Sequence, residues 1–345
     1  MKYLLICGSS LVLALLMTPL AKFLSYKFKI LDQPGHRKIH EGEIPLMGGA
    51  VIYLATTISL SVFYNNNDLI WIILTALAFV LFGLIDDLGY AIKARYKIIG
   101  HLLISFVFIF LSGNMLALFT VSWLNIILTA CFITFMTNSF NMLDGMDGLV
   151  AGISMLAAVF FFLFSLYSGQ YPLSVICLAV IGACLGFLRY NFNPASIFLG
   201  EGGSTLLGFI MALIAVKLRF FGLWDIALSL NISRLQWISF VIPLIVLGIP
   251  IFDTFFVFTH RFLNKRGFST PGKDHSHHRL YKMGLSHKVT VLLLYGTQVI
   301  LGTVAVILIN AQLEQFAAVL VMLASFTVLA WLFLAKVKVY RDFQS

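Results

Sequence analysis

Apolar runs close to twenty residues long recur along almost the whole of this chain. Each is long enough to cross roughly 30 Å of hydrocarbon. Eleven such runs read as membrane-spanning helices, at 4–26, 46–64, 69–86, 98–113, 123–141, 148–168, 172–188, 204–218, 236–260, 287–310 and 314–336. The composition agrees: 60% of the residues are hydrophobic and 11% charged, against roughly 25% charged in a soluble domain. The expected fold is an all-α polytopic membrane protein, and with no large soluble segment residues 1–345 are expected to form a single integral membrane domain. The first run has no small-residue cleavage site and many spans follow it, so it reads as a retained span and not a leader. Cys7, Cys131, Cys177 and Cys184 lie inside apolar runs without a CxxC pair and read as small buried hydrophobes.

Orientation follows from the basic residues. Nineteen Lys and Arg fall in one alternating set of loops and four (Lys2, Lys217, Arg219, Arg234) in the other. The rich set is expected in the cytoplasm, which with eleven spans puts the N-terminus outside and the C-terminus inside. Nearly every Asp, Glu and His shares that face, so the chemistry is expected there. The net charge of +9 suits anionic lipid headgroups and an anionic substrate. Basic residues in short, membrane-tied loops exclude nucleic acid as the partner.

Five constellations stand on that face. Asp32-Gln-Pro-Gly-His-Arg-Lys-Ile-His40 precedes Pro45 and Gly48-Gly49; Arg37, Lys38 and His40 suit a phosphate, and equally a plain topology signal. Asp86-Asp87 ends the third span, where an acidic residue at membrane depth is functional by default. A cation is the simplest compensation for two adjacent carboxylates, and pairing with Lys93 or Arg95 is the plainer one. Asn138, Asn141, Asp144 and Asp147 recur every three residues. Steps of three on an α-helix turn about 300° each, so all four converge only if the helix breaks or tightens, which Gly145 and Gly148 permit. Carboxylates and carboxamides are oxygen donors suited to Mg²⁺ and to base or sugar groups. Gly200-Glu-Gly-Gly-Ser204 suits an anion or metal at a helix start, with Ser204 as a cap. The longest loop carries Arg261, Lys265 and Arg266, then His275, His277, His278 and Arg279. Its flanking cations favour phosphate over a zinc site, which has no cysteine nearby. Asp253 is either a site residue or a partner for Arg261.

Oxygen ligands, cations and glycine turns on one membrane face ask for phosphoryl chemistry, in which metal and Arg/Lys clamps stabilise charge on the transferring phosphorus. The motifs Asp32-x-Pro, Arg37-Lys38-x-His40, Asp86-Asp87-Leu-Gly89, Asn138-x-x-Asn141-x-x-Asp144-Gly-x-Asp147-Gly, Asn193-Pro-Ala195 and His275-x-His277-His278-Arg279 resemble, in order, those of the polyprenyl-phosphate N-acetylhexosamine-1-phosphate transferases. The resemblance spans residues 32–280. It implies transfer of a sugar-1-phosphate from a UDP-sugar to undecaprenyl phosphate, with release of UMP and use of Mg²⁺, or Mn²⁺, in a bacterial inner membrane. By position it gives Asp86 and Asp87 to the carrier phosphate and catalysis, and Asn141, Glu201 and Asp87 to the metal. Asp144 and Asp147 go to the nucleotide, with Asp147 at the uracil. His275, His277 and His278 with Arg261, Arg266 and Arg279 go to the diphosphate, and Asn138 and Arg189 join the substrate-binding set. Glu201 stands where the family usually has Asp, and its extra methylene shifts the ligand oxygen.

The histidine pattern resembles the branch that uses simple donors such as UDP-GlcNAc for envelope polysaccharides. The peptidoglycan branch, with a MurNAc-pentapeptide donor, is the alternative, and a membrane transporter is the alternative of another class. The apolar spans permit a homodimer without requiring one.

Overall fold

A computed structural model describes residues 2–33, 42–64, 68–90, 92–232, 234–267, 272–337 and 339. Its helices are α1 (Lys2–Phe28), α2 (Gly48–Phe63), α3 (Asp68–Ile85), α4 (Ala94–Ser112), α5 (Ser122–Leu143), α6 (Leu149–Tyr167), α7 (Tyr171–Asn191) and α8 (Gly200–Lys217). There follow three short ones, α9 (Trp224–Ser229), α10 (Gln236–Ser239) and α11 (Val241–Val246), then α12 (Gly248–Leu263), α13 (Ser276–Lys282), α14 (His287–Leu308) and α15 (Leu313–Ala335). Between α1 and α2, strand β1 (Leu31–Asp32) pairs antiparallel with β2 (Ile44–Pro45), Leu31 opposite Pro45.

Among the described residues nine helices are long and apolar enough to cross a membrane, and the pair Gln236–Val246 and Gly248–Leu263, bent by 81°, makes a tenth. The run expected at 46–64 is helical, but α2 has only 16 residues, about 24 Å at 1.5 Å per residue. The bend comes between Pro243 and Pro250 at Gly248, as expected where proline interrupts backbone pairing.

The bundle is built around α8. Of its most apolar window 89% is buried, against 6% for α15, so α8 is the axis and α15 lies at the rim. No hydrophobic effect drives helices together inside lipid, so close packing of small residues has to do it. At the start of α8 a Cβ on Gly83 of α3 would overlap the backbone of Gly202, and one on Gly49 of α2 would overlap Gly203. Three helix backbones therefore meet at one point. The β2–α2 junction is fastened there too: Phe198 N donates to Pro45 O, Gly48 N to Phe198 O and Gly49 N to Leu199 O, at 2.8–3.1 Å.

Cys177 and Cys184 are buried and Cys7 half-buried, as expected for small hydrophobes, whereas Cys131 sits on the exposed face of α5. Nothing in its apolar surroundings forces a small thiol inward.

Candidate active site

Where the ends of α3, α5 and α8 meet the α13 segment, a cavity of about 700 Å³ opens, lined by Asp32, Asp87, Asn141, Asp144, Asp147, Asn193, Glu201, His278 and His287 among others.

One wall is made of carboxylates. After Ile85 the helix widens into a π turn over Asp86–Tyr90 and stops at Gly89, whose φ of 92° lies in the left-handed region open to glycine. That turn points the adjacent aspartates to different partners. Asp87 accepts from Glu201 N at 3.0 Å and from Gly202 N at 3.3 Å, so its carboxylate caps α8. The anion expected at that helix start is internal, and the amides and the helix dipole stabilise it. Ser204 is not the cap. It lies within α8 and donates to Gly200 O and Glu201 O. Asp86 accepts from Ile92 N and from Lys97 Nζ, both at 2.8 Å. Lys97 also pairs with Glu201. The cation that compensates the Asp86–Asp87 pair is thus Lys97, not Lys93 or Arg95. The other Glu201 oxygen, Oε1, is buried without a hydrogen-bond partner.

The α5–α6 turn forms the floor. α5 ends at Leu143, and Gly148, φ 76°, starts α6. Gly148 N donates to Asn191 Oδ1 and Tyr295 OH donates to Gly148 O. The helix breaks as the interval of three requires, but three groups converge and not four. Asn141, Asp144 and Asp147 line the cavity, while Asn138 faces back, donating to Thr134 O and meeting His101 Nδ1 at 3.1 Å. Asn141 Nδ2 donates to Ser204 Oγ at 3.2 Å. Asp147 is braced from two sides. Its N–H donates to His287 Nε2 at 3.0 Å, and its Oδ2 accepts from Asn193 Nδ2 at 2.9 Å and Ala195 N at 3.0 Å. The Asn193-Pro-Ala195 motif therefore holds the aspartate in place. Asp144 is open to the cavity's water but otherwise enclosed. That enclosure, with Asp87 and Asp147 nearby, raises its carboxyl to about 8.

The opposite wall is the histidine segment. His278 lines the cavity. His277 is fully buried, with neither ring nitrogen hydrogen-bonded, and lies against Gly145, where a Cβ would overlap its ring. The two rings are 4.3 Å apart. Burial, then repulsion from His278 on His277 and from His275 on His278, lowers both, His277 well below the usual histidine range and His278 to about 4. His275 stacks on His277.

The arginines expected on a diphosphate have other work. Arg261 makes a two-pronged ion pair with Asp274, Nε to Oδ2 at 2.7 Å and Nη2 to Oδ1 at 2.8 Å. Arg279 is fully buried and donates to Asp274 O, Leu334 O and Val337 O. Both are taken up in folding the segment, because a buried guanidinium must satisfy its donors locally. Arg189 lies exposed over the Tyr190 ring and Arg266 is half-buried at the end of α12, neither of them a cavity-lining residue. Arg37, Lys38 and His40 lie outside the described residues. Lys97 and His287 were missed as site residues. A lysine inside an apolar helix, one turn in, is the signal that marks Lys97, since such a charge needs a partner.

Residues 69–219 match the model of glycosyl transferase family 4. The chain is 34% identical over 315 residues to the probable undecaprenyl-phosphate N-acetylglucosaminyl 1-phosphate transferase of Bacillus subtilis (strain 168), covering 88% of this chain and 84% of that one. The chain belongs to the polyprenyl-phosphate N-acetylhexosamine-1-phosphate transferase family. Within this transferase family it is also 27% identical over 312 residues to the decaprenyl-phosphate N-acetylglucosaminephosphotransferase of Mycobacterium leprae, covering 81% of this chain and 76% of that one. It is 32% identical over 232 residues to the phospho-N-acetylmuramoyl-pentapeptide-transferase of Caldicellulosiruptor bescii, covering 61% of this chain and 72% of that one. The segment matched to the transferase family model contains the carboxylate wall and the floor.

Proposed function

We propose that the protein moves N-acetylglucosamine-1-phosphate from UDP-GlcNAc to undecaprenyl phosphate, releasing UMP, at the cytoplasmic face of a bacterial inner membrane. The observation that carries this is the single cavity into which Asp87, Asn141, Asp144, Asp147, Glu201 and His278 all open. The names of the relatives over most of the chain support the donor and acceptor classes. The excess of basic residues on the loops that share this cavity supports its cytoplasmic side, the N-terminus outside and the C-terminus inside.

The lipid phosphate is the nucleophile. With a second pKa near ~6 it is mostly dianionic at pH 7. One of its oxygens bonds to the β-phosphorus of the donor, and the bond from that phosphorus to the bridging oxygen breaks, that oxygen leaving on UMP. Asp87, held by two amides, orients the phosphate and takes up any residual proton. Asp86 acts one step back, by holding Lys97. Asp144, its carboxyl raised by its enclosure and by Asp87 and Asp147, faces the nucleotide. Asp147 keeps Asn193 and the floor in register at the nucleotide.

The unpartnered Glu201 oxygen, with Asp87 and Asn141 lining the same cavity, suits Mg²⁺, although no three His, Cys, Asp or Glu side chains are spaced to hold a metal among the described residues. Asp87, Asn141 and Glu201 would hold it. When bound it would neutralise charge on the diphosphate.

The test is UMP release by purified protein with undecaprenyl phosphate, Mg²⁺ or Mn²⁺, and a panel of UDP-sugars that includes UDP-MurNAc-pentapeptide. UDP-GlcNAc should turn over. Silence with every donor sinks the enzyme reading, and turnover of the pentapeptide donor alone moves the chain to the peptidoglycan branch.

A further inference from the structure

Asp253 sits on α12, fully buried. The cavity-lining set does not include it, and Arg261, its expected partner, is engaged by Asp274. Both Asp253 oxygens are used on one short stretch of chain. Oδ2 meets His275 Nδ1 at 2.7 Å, and Oδ1 accepts from Ser276 N at 2.7 Å. Ser276 is the first residue of α13 and His275 its N-cap, with φ −65° and ψ 156°. A helix start needs its free amides satisfied, and His275 gives no side-chain cap of its own. Asp253 supplies that cap from another helix, with the same carboxylate that holds the histidine ring.

We infer that Asp253 is the positioning residue of the histidine wall, fixing through one carboxylate both the start of α13 and the ring orientation of His275. Two bonds from one buried group tie the start of α13 to α12. His275 stacked on His277, and His277 pressed between Gly145 and His278, carry that alignment into the cavity. With the carboxylate accepting from it, His275 Nδ1 carries a proton. No contact of Asp253 with substrate is involved. The inference rests on the proposed transferase reaction for its kinetic consequence and on the geometry alone for its structural one.

Asparagine cannot replace this carboxylate. If its oxygen accepts from Ser276 N, its NH₂ faces His275 Nδ1 and drives the histidine proton to Nε2. If it flips, two N–H donors face each other. Asp253→Asn should raise the KM for UDP-GlcNAc about tenfold or more, the size of one lost hydrogen bond to a charged group. The KM for undecaprenyl phosphate should stay within about twofold, and ¹⁵N-histidine NMR should show one ring changing from the Nδ1–H to the Nε2–H form. Ser276→Pro is the second variant. Proline is tolerated at the first helical position, and the extended ψ of His275 already suits a following proline. It removes only the Oδ1 bond, so it should raise the donor KM by a few-fold, as for one neutral bond, and leave the tautomer unchanged. Asp253→Glu, with its longer reach, should recover the Nδ1–H signature and part of the donor KM.

A folded Asp253→Asn protein with wild-type donor KM and an unchanged histidine spectrum overturns the inference. If that variant does not fold, an unchanged donor KM in Ser276→Pro overturns it instead. Failure of the wild-type protein to release UMP overturns the transferase reading, and the tautomer comparison then decides the assignment of Asp253 on its own.

Discussion

The two walls of the cavity solve the same problem, holding buried charge, in opposite ways. The carboxylate wall is made where three helices meet at glycines, and its charges are satisfied within a few residues of those crossings by amides of α8 and by Lys97. The histidine wall is a short helix in a long loop, held from outside by Asp253, by the Arg261–Asp274 pair and by Arg279 on the end of α15. The first is rigid because the backbones cannot separate. The second is rigid only while every polar tie is made, and each tie lost leaves a buried charge.

The largest expected effect lies on the second wall. Arg261→Ala strands Asp274 and should cost about 3–5 kcal/mol of stability, the usual result of breaking a buried pair; an unchanged thermal midpoint would show that the wall does not depend on its ties. On the first wall, Asp87→Asn should lower UMP release by roughly 10²–10³-fold, the scale of one preorganised electrostatic contact, with a small loss in melting because the carboxamide NH₂ then faces one of the two α8 amides that Asp87 accepts from. A large melting shift instead would make Asp87 a fold residue before a chemical one. Gly83→Ala puts a methyl where Gly202 lies and should cost about 1–3 kcal/mol through overpacking, seen as early unfolding in detergent. Smallest is the pH effect at the floor. Asp144, raised to about 8 when folded, keeps a proton there that the unfolded chain gives up near pH ~4. Its contribution is complete below the lower value and is lost as pH rises to the upper one. Asp144→Asn should therefore gain in thermal midpoint relative to the wild type between those pH values and level off above them. The gain should be modest, because the side chain meets water. A constant offset across pH would show that the Asp144 carboxyl is not raised in the folded protein.

The same contrast explains what could be read in advance. Spans were legible because hydrocarbon thickness imposes a length, and the break between α5 and α6 because two glycines follow a polar interval that one helix cannot aim. Asn138 escaped because the interval does not say where the helix ends; it lies more than a turn before that end and keeps its helical direction. Spacing alone makes Lys97 one more basic loop charge and Arg261 and Arg279 phosphate clamps, because pairing across 13 to 104 residues leaves no trace in it. The Glu201 and Asp87 positions were found by motif, and their division of labour only in three dimensions.

Arg279 closes the end of α15 by donating to Leu334 O and Val337 O, although most of that helix faces outward. The end of α15 is therefore tied to the short helix that carries His277 and His278, so a substitution that moves the Leu334 or Val337 carbonyl is expected to disturb the histidine pair as well.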